Sequence, residues 1–174
     1  MKKYSAIITL CILAFTLPKV SAQANYGNTL NLGVGIGGYS GYYSYVGRSM
    51  PVLSANYEFA VANSFTLAPF ISYYSYSNSY YHETVIPIGI KGSYYFDRVL
   101  NASPNWDFYL AGSLGLPLVN STWDNNYTGN RDYYHNGNAL FLDLHLGAEY
   151  HLTRKLGVFL DLSSGVSTIG LAFH

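Results

Sequence analysis

Charge is scarce in this 174-residue chain: Asp, Glu, Lys and Arg make up only 10% of it, against roughly a quarter in an ordinary soluble domain. Nine bases balance nine acids, so no basic surface points to a nucleic-acid partner. One cysteine, Cys11, excludes a disulfide framework and any zinc-finger spacing. Aromatic residues are abundant, with 19 Tyr, 9 Phe and 2 Trp, which excludes a disordered chain. Seventeen Gly and six Pro exclude a coiled coil or a long helical bundle. These limits leave one compact, aromatic-rich domain of β type. No nucleotide or redox motif is present, and neither a cofactor nor a metal is expected.

The one long apolar run, Ala6 to Leu17, follows Lys2 and Lys3 and precedes Pro18 and the small-residue pattern Val20-Ser21-Ala22. That is the layout of a secretory signal peptide. It is too short for a membrane anchor, which needs about 20 apolar residues. Ile8-Thr9-Leu10 before Cys11 does not fit a lipoprotein signal. Residues 1–22 are therefore expected to be cleaved, leaving residues 23–174 as the domain. Loss of Lys2, Lys3, Lys19 and Cys11 leaves six bases, nine acids and no thiol.

Residues 23–174 alternate between apolar and small or polar positions, the mark of strands with two unlike faces. The pattern predicts eight strands: Thr29–Gly37, Leu53–Val61, Phe65–Tyr73, Val85–Phe96, Asp107–Val119, Asn138–His151, Leu156–Leu162 and Ser167–Phe173. In Asn138–His151, Leu140, Leu142, Leu144, Leu146, Ala148 and Tyr150 oppose Phe141, Asp143, His145, Gly147, Glu149 and His151. The non-apolar faces are mostly Gly, Ser, Ala and Thr, whereas a water-facing surface is about a quarter to a third charged. The apolar faces are therefore expected to meet lipid and the small or polar faces to fill a narrow interior. A closed barrel satisfies every backbone group within a bilayer. The expected fold is an all-β, eight-stranded antiparallel up-and-down transmembrane barrel. Connections 38–50, 74–84 and 120–137 are read as long outer loops, and the shorter alternate connections as periplasmic turns, placing both termini in the periplasm.

The segment Val85-Ile86-Pro87-Ile88-Gly89-Ile90-Lys91-Gly92-Ser93-Tyr94-Tyr95-Phe96 resembles the central strand of the outer membrane protein beta-barrel domain family. The wider pattern resembles the small OmpA/OmpX-like barrels of Gram-negative bacteria. The end Ile169-Gly170-Leu171-Ala172-Phe173 is similar to the family's C-terminal signal, which usually closes on the aromatic residue; here His174 follows. The resemblance implies an integral protein of the bacterial outer membrane, monomeric, in contact with outer-membrane lipid and lipopolysaccharide. It also implies insertion by the barrel-assembly machinery through Ile169, Leu171 and Phe173.

Glu58, Lys91, Asp143, His145, Glu149 and Asp161 fall on inward faces, where a buried charge is costly unless paired. They are expected to form a lumen ion network in which Lys91 bridges several carboxylates; a narrow ion or proton path is the alternative. His145 lies between Asp143 and Glu149, but no His-x-Ser motif selects a nucleophile among inward serines such as Ser113 and Ser163. A lipid A-modifying acyl hydrolase or transferase is thus a second alternative, and no catalytic residue is assigned. Asp124 to Asp132 opens like a calcium loop, but His135 stands where the bidentate Glu belongs, so no metal is assigned there. Tyr42, Tyr43, Tyr45, Tyr80, Tyr81, Trp123, Tyr127, Tyr133 and Tyr134 fall in or near the predicted outer loops. They are read as aromatic girdle and loop packing, and as a possible surface for binding. The expected role is structural or surface interaction rather than catalysis.

Overall fold

The computed structural model describes residues 26–39, 49–77, 81–124 and 140–174. Eight strands run in chain order: β1 (Thr29–Gly37), β2 (Met50–Ala62), β3 (Phe65–Ser77), β4 (Tyr81–Tyr95), β5 (Trp106–Trp123), β6 (Phe141–His151), β7 (Leu156–Ser163) and β8 (Val166–Phe173). Each pairs antiparallel with its neighbour, and β1 closes on β8 from Leu30↔Phe173 to Gly37↔Val166. The result is a closed up-and-down barrel, so no sheet edge is left to find a partner in lipid. Its lower end carries Tyr26, His174 and the turns β2–β3, β4–β5 and β6–β7; its upper end carries the other connections.

Several strands reach further than the alternation of apolar residues suggests. Residues 74–77 and 81–84, expected in a loop, pair as Tyr74↔Val85 through Ser77↔His82. β5 continues to Trp123 through Tyr81↔Trp123. The physical reason is that Ser-Tyr-Tyr-Ser-Tyr-Ser has little hydropathy contrast but abundant tyrosine, which suits a pleated, half-buried surface. β6 begins at Phe141, not Asn138. Between β4 and β5 a single helical turn, α1 (Asp97–Leu100), replaces the expected plain turn and stops at Asn101 in the left-handed conformation, φ 49°.

The two faces separate as their composition requires. Outside, Leu32, Leu110, Leu114, Leu142, Leu144, Leu146 and Ile169 stand 45–62% exposed in a continuous aliphatic band. A soluble monomer does not present such a surface. Below the band lies a ring of outward aromatics: Tyr57, Phe65, Tyr94, Trp106, Tyr150 and Phe173. Phe65 packs on Tyr94 with centroids 5.7 Å apart, and Trp106 on Tyr150 at 4.9 Å. This is the amphipathic belt expected at a membrane interface. It sits at the lower end; most of the upper tyrosines read from the sequence as girdle lie outside the described residues.

Inside, bulky side chains lie over inward glycines. Tyr109 covers Gly147, Phe141 covers Gly115 and the Glu149 carboxylate fills the space beside Gly157. This alternation of large and small residues lets an eight-stranded barrel fill its own interior.

Candidate functional site in the barrel lumen

Glu58, Lys91, Asp143, Glu149 and Asp161 are buried, and the His145 side chain is 12% exposed. The six residues form separate clusters stacked along the barrel, not one network. Among the described residues, Lys91 pairs with one carboxylate, Asp161, at 3.1 Å. The strand registers explain the difference from expectation. Glu58 and Glu149 lie near the lower ends of β2 and β6, whereas Lys91 lies opposite Ser113 in mid-wall.

The lowest layer holds Glu58, which accepts hydrogen bonds from Thr66 and, at 2.9 Å, from Tyr95 Oη. Tyr26 stacks on Tyr95 at 4.3 Å and donates to Asp97 Oδ2 at 2.7 Å. Burial, with the Asp97 hydrogen bond second, pushes the Tyr26 phenol well above its ordinary range. In the same layer His174 Nε2 lies 2.6 Å from Glu149 Oε1, and His151 Nε2 lies 2.8 Å from Asp107 Oδ2. The Glu149 contact raises the His174 pKa despite partial burial.

The middle layer is centred on Asp161. Its Oδ2 accepts from Lys91 Nζ at 3.1 Å and from Tyr109 Oη at 2.8 Å, while Oδ1 lies 2.7 Å from His145 Nδ1. The carboxylate thereby favours a proton on Nδ1 and leaves Nε2 to face Ser113 Oγ at 2.9 Å. Ser113, His145 and Asp161 thus have the connectivity of a nucleophile, a base and its orienting acid. Alternation marked all three positions as inward; only the register singles out Ser113 among the serines.

This triad borders a cavity of about 50 Å³, whose lining includes Lys91, Asp143, Tyr39 and Phe141. That is room for a few waters. Above it, Tyr39, Met50, Val52, Tyr74, Val85 and Phe141 form a buried apolar plug. Tyr39 stacks on Phe141 at 5.2 Å, and burial pushes its phenol upward. Asp143 lies at the β7–β8 turn, 3.5 Å from Ser164 Oγ.

Two predicted surface residues belong to this interior wall. Tyr81 is 3% exposed, donates to Glu83 and packs on Trp123 at 4.5 Å. Trp123 is half-buried at the end of β5. Both were expected on an exposed binding surface, but the upward extension of β4 and β5 turns Tyr81 inward. Glu83, expected in a loop, joins the interior with Ser121 Oγ 3.1 Å away. Tyr42, Tyr43, Tyr45, Tyr80, Tyr127, Tyr133 and Tyr134 lie outside the described residues, as do residues 1–22 and most of the calcium-like loop.

No protein-family model and no curated protein sequence matches the chain significantly. Its structure is similar to a de novo designed transmembrane β-barrel, with TM-score 0.50, 15% identity, and 86% of this chain and 97% of that one covered. It is equally similar to neisserial surface protein A, with TM-score 0.50 and 16% identity over 83% of this chain and 94% of that one. The aliphatic exterior, the closed sheet and these two likenesses agree: the chain has the fold of the small eight-stranded transmembrane barrels.

Proposed function

We propose that this protein is a monomeric integral barrel of the Gram-negative outer membrane with a structural or surface-interaction role. The carrying observation is the filled lumen: the lower charged layer, the Lys91–Asp161 pair and the upper apolar plug succeed one another along its length. An interior closed in this way suits a scaffold, and leaves the upper connections to meet the outside. Two of those connections, 38–49 and 124–140, exceed any lower turn in length, which favours lower-end termini in the periplasm. Outer-membrane lipid and lipopolysaccharide would then surround the aliphatic band. The barrel-assembly machinery would read the outward Ile169, Leu171 and Phe173. The tyrosine-rich upper segments are the candidate surface for an extracellular partner.

A second reading, acyl-ester hydrolysis at Ser113, is favoured by the Ser113–His145–Asp161 geometry. Against it, Ser113 is 4% exposed and adjoins a water-sized cavity, too small for an acyl ester.

Mass spectrometry of lipid A from cells with and without the gene, together with planar-bilayer recording of the purified barrel, separates these readings. An unchanged acyl pattern and no conductance steps are expected. A changed pattern abolished by Ser113→Ala would replace the scaffold reading with the enzyme. Steady conductance would replace it with a channel.

A further inference from the structure

The geometry points to a Zn2+ site at the lower mouth of the barrel, formed by Glu149, His151 and His174. One ligand atom from each of these residues lies within 4.8 Å of the other two. Glu149 Oε1 is central, 2.6 Å from His174 Nε2 and 3.8 Å from His151 Nδ1. A tetrahedral ion with bonds of about 2.0–2.1 Å sets its ligand atoms about 3.3 Å apart. The two separations fall on either side of that value, so modest side-chain rotations bring the three atoms onto one ion.

The outer nitrogens carry the argument further. His151 Nε2 is held by Asp107 at 2.8 Å, and His174 Nδ1 by Thr29 Oγ1 at 3.0 Å. Each imidazole is therefore anchored on the side away from Glu149, with its other nitrogen turned inward. Metal-bound histidines are commonly fixed this way, through a carboxylate or another polar group on the second nitrogen. The support comes from three places in the barrel: Asp107 on β5, Thr29 on β1 and the β6 positions 149 and 151, which share a face. Gly157, opposite His151, leaves the space that the Glu149 carboxylate occupies.

Two imidazoles and one carboxylate suit Zn2+, whereas Ca2+ and Mg2+ favour all-oxygen shells. The His151 and His174 side chains are 22% and 16% exposed, so an ion reaches them from the aqueous mouth and a water can complete the coordination. Bound there, the ion would tie the segment following β8 to the end of β6. It would act as a clasp at the lower rim.

The test uses the untagged, folded barrel in detergent, freed of metal by chelation and dialysis. Zn2+ titration calorimetry should give one ion per chain, and Co2+ should give visible absorption of a four- or five-coordinate N/O site. His151→Ala and His174→Ala should each weaken Zn2+ binding by about 100-fold or more, and Asp107→Asn by about 10–100-fold. His82→Ala, exposed at the opposite end, should leave binding unchanged. Ca2+ should not compete. Absent stoichiometric binding, retained affinity in either imidazole variant, or equal affinity for Ca2+ would overturn the assignment. If an alanine variant fails to fold, the Gln variants and the Co2+ spectrum of the parent decide the matter.

Discussion

Ser113 Oγ lies 2.9 Å from His145 Nε2, although the residue directly opposite Ser113 across the β5–β6 ladder is Asp143. The bond runs along the diagonal of the antiparallel pair, the second-nearest contact on one face of a sheet. Asp161, one strand further on, then takes the other side of the imidazole.

Removing the hydroxyl tests what this arrangement does. Ser113→Ala should lower unfolding stability by about 1–2 kcal/mol by stranding a polar atom in the wall. A fluorophosphonate should form no adduct with the folded parent. Urea titration followed by heat-modified gel mobility reads the first, and intact-mass spectrometry the second; an adduct at Ser113 would contradict a purely architectural role.

Lys91→Met removes the buried cation and leaves Asp161 to His145 and Tyr109. Breaking such a pair should cost about 3 kcal/mol. The double variant Lys91→Met/Asp161→Leu should recover part of that loss, because an apolar pair carries no desolvation cost. Equal urea midpoints for parent and Lys91→Met would show that the pair contributes little.

Gly147→Leu should destabilise the barrel by about 1–3 kcal/mol, because any β-carbon there meets the Tyr109 ring. Gly112→Leu is the contrasting substitution: its β-carbon has no neighbour within 4 Å and its face is exposed. It should fold with unchanged or slightly raised stability. Similar losses for both would mean that strand entropy, not the aromatic cover, decides.

With Trp123→Phe, the remaining Trp106 reports the depth of the lower aromatic belt. Its emission should be quenched more by lipids brominated near the headgroup end of the acyl chain than by lipids brominated near the midplane. The opposite ranking would displace the belt from the interface.

The closed barrel and its two faces are legible in the period-two alternation, since the Leu140–Leu146 stripe is aliphatic and the opposing stripe carries Asp143 and His145. Polar and aromatic strand ends are not. Tyr74 to Ser77 has little hydropathy contrast, and only pairing with β4 reveals it as strand. Alternation places Lys91, Asp161 and Glu149 inside but says nothing of their height, which depends on register and tilt. That is why one network was expected where separate layers exist. His151 and His174 could have been noticed as in phase with Glu149 and Ala172, but what joins them is the pairing of β7 with β6 on one side and β8 on the other.

The wall is of unequal height. β4 and β5 have 15 and 18 residues, whereas β7 and β8 have eight each. At about 3.3 Å per residue and a tilt near 45°, an eight-residue strand rises only about 19 Å, short of the roughly 25 Å apolar band usual in such barrels. The wall is therefore lowest beside β7 and β8, while the extra length of β4 and β5 carries polar outward residues such as His82, Asn120 and Thr122. The lowest part of the rim thus includes the β8–β1 seam, where the barrel closes.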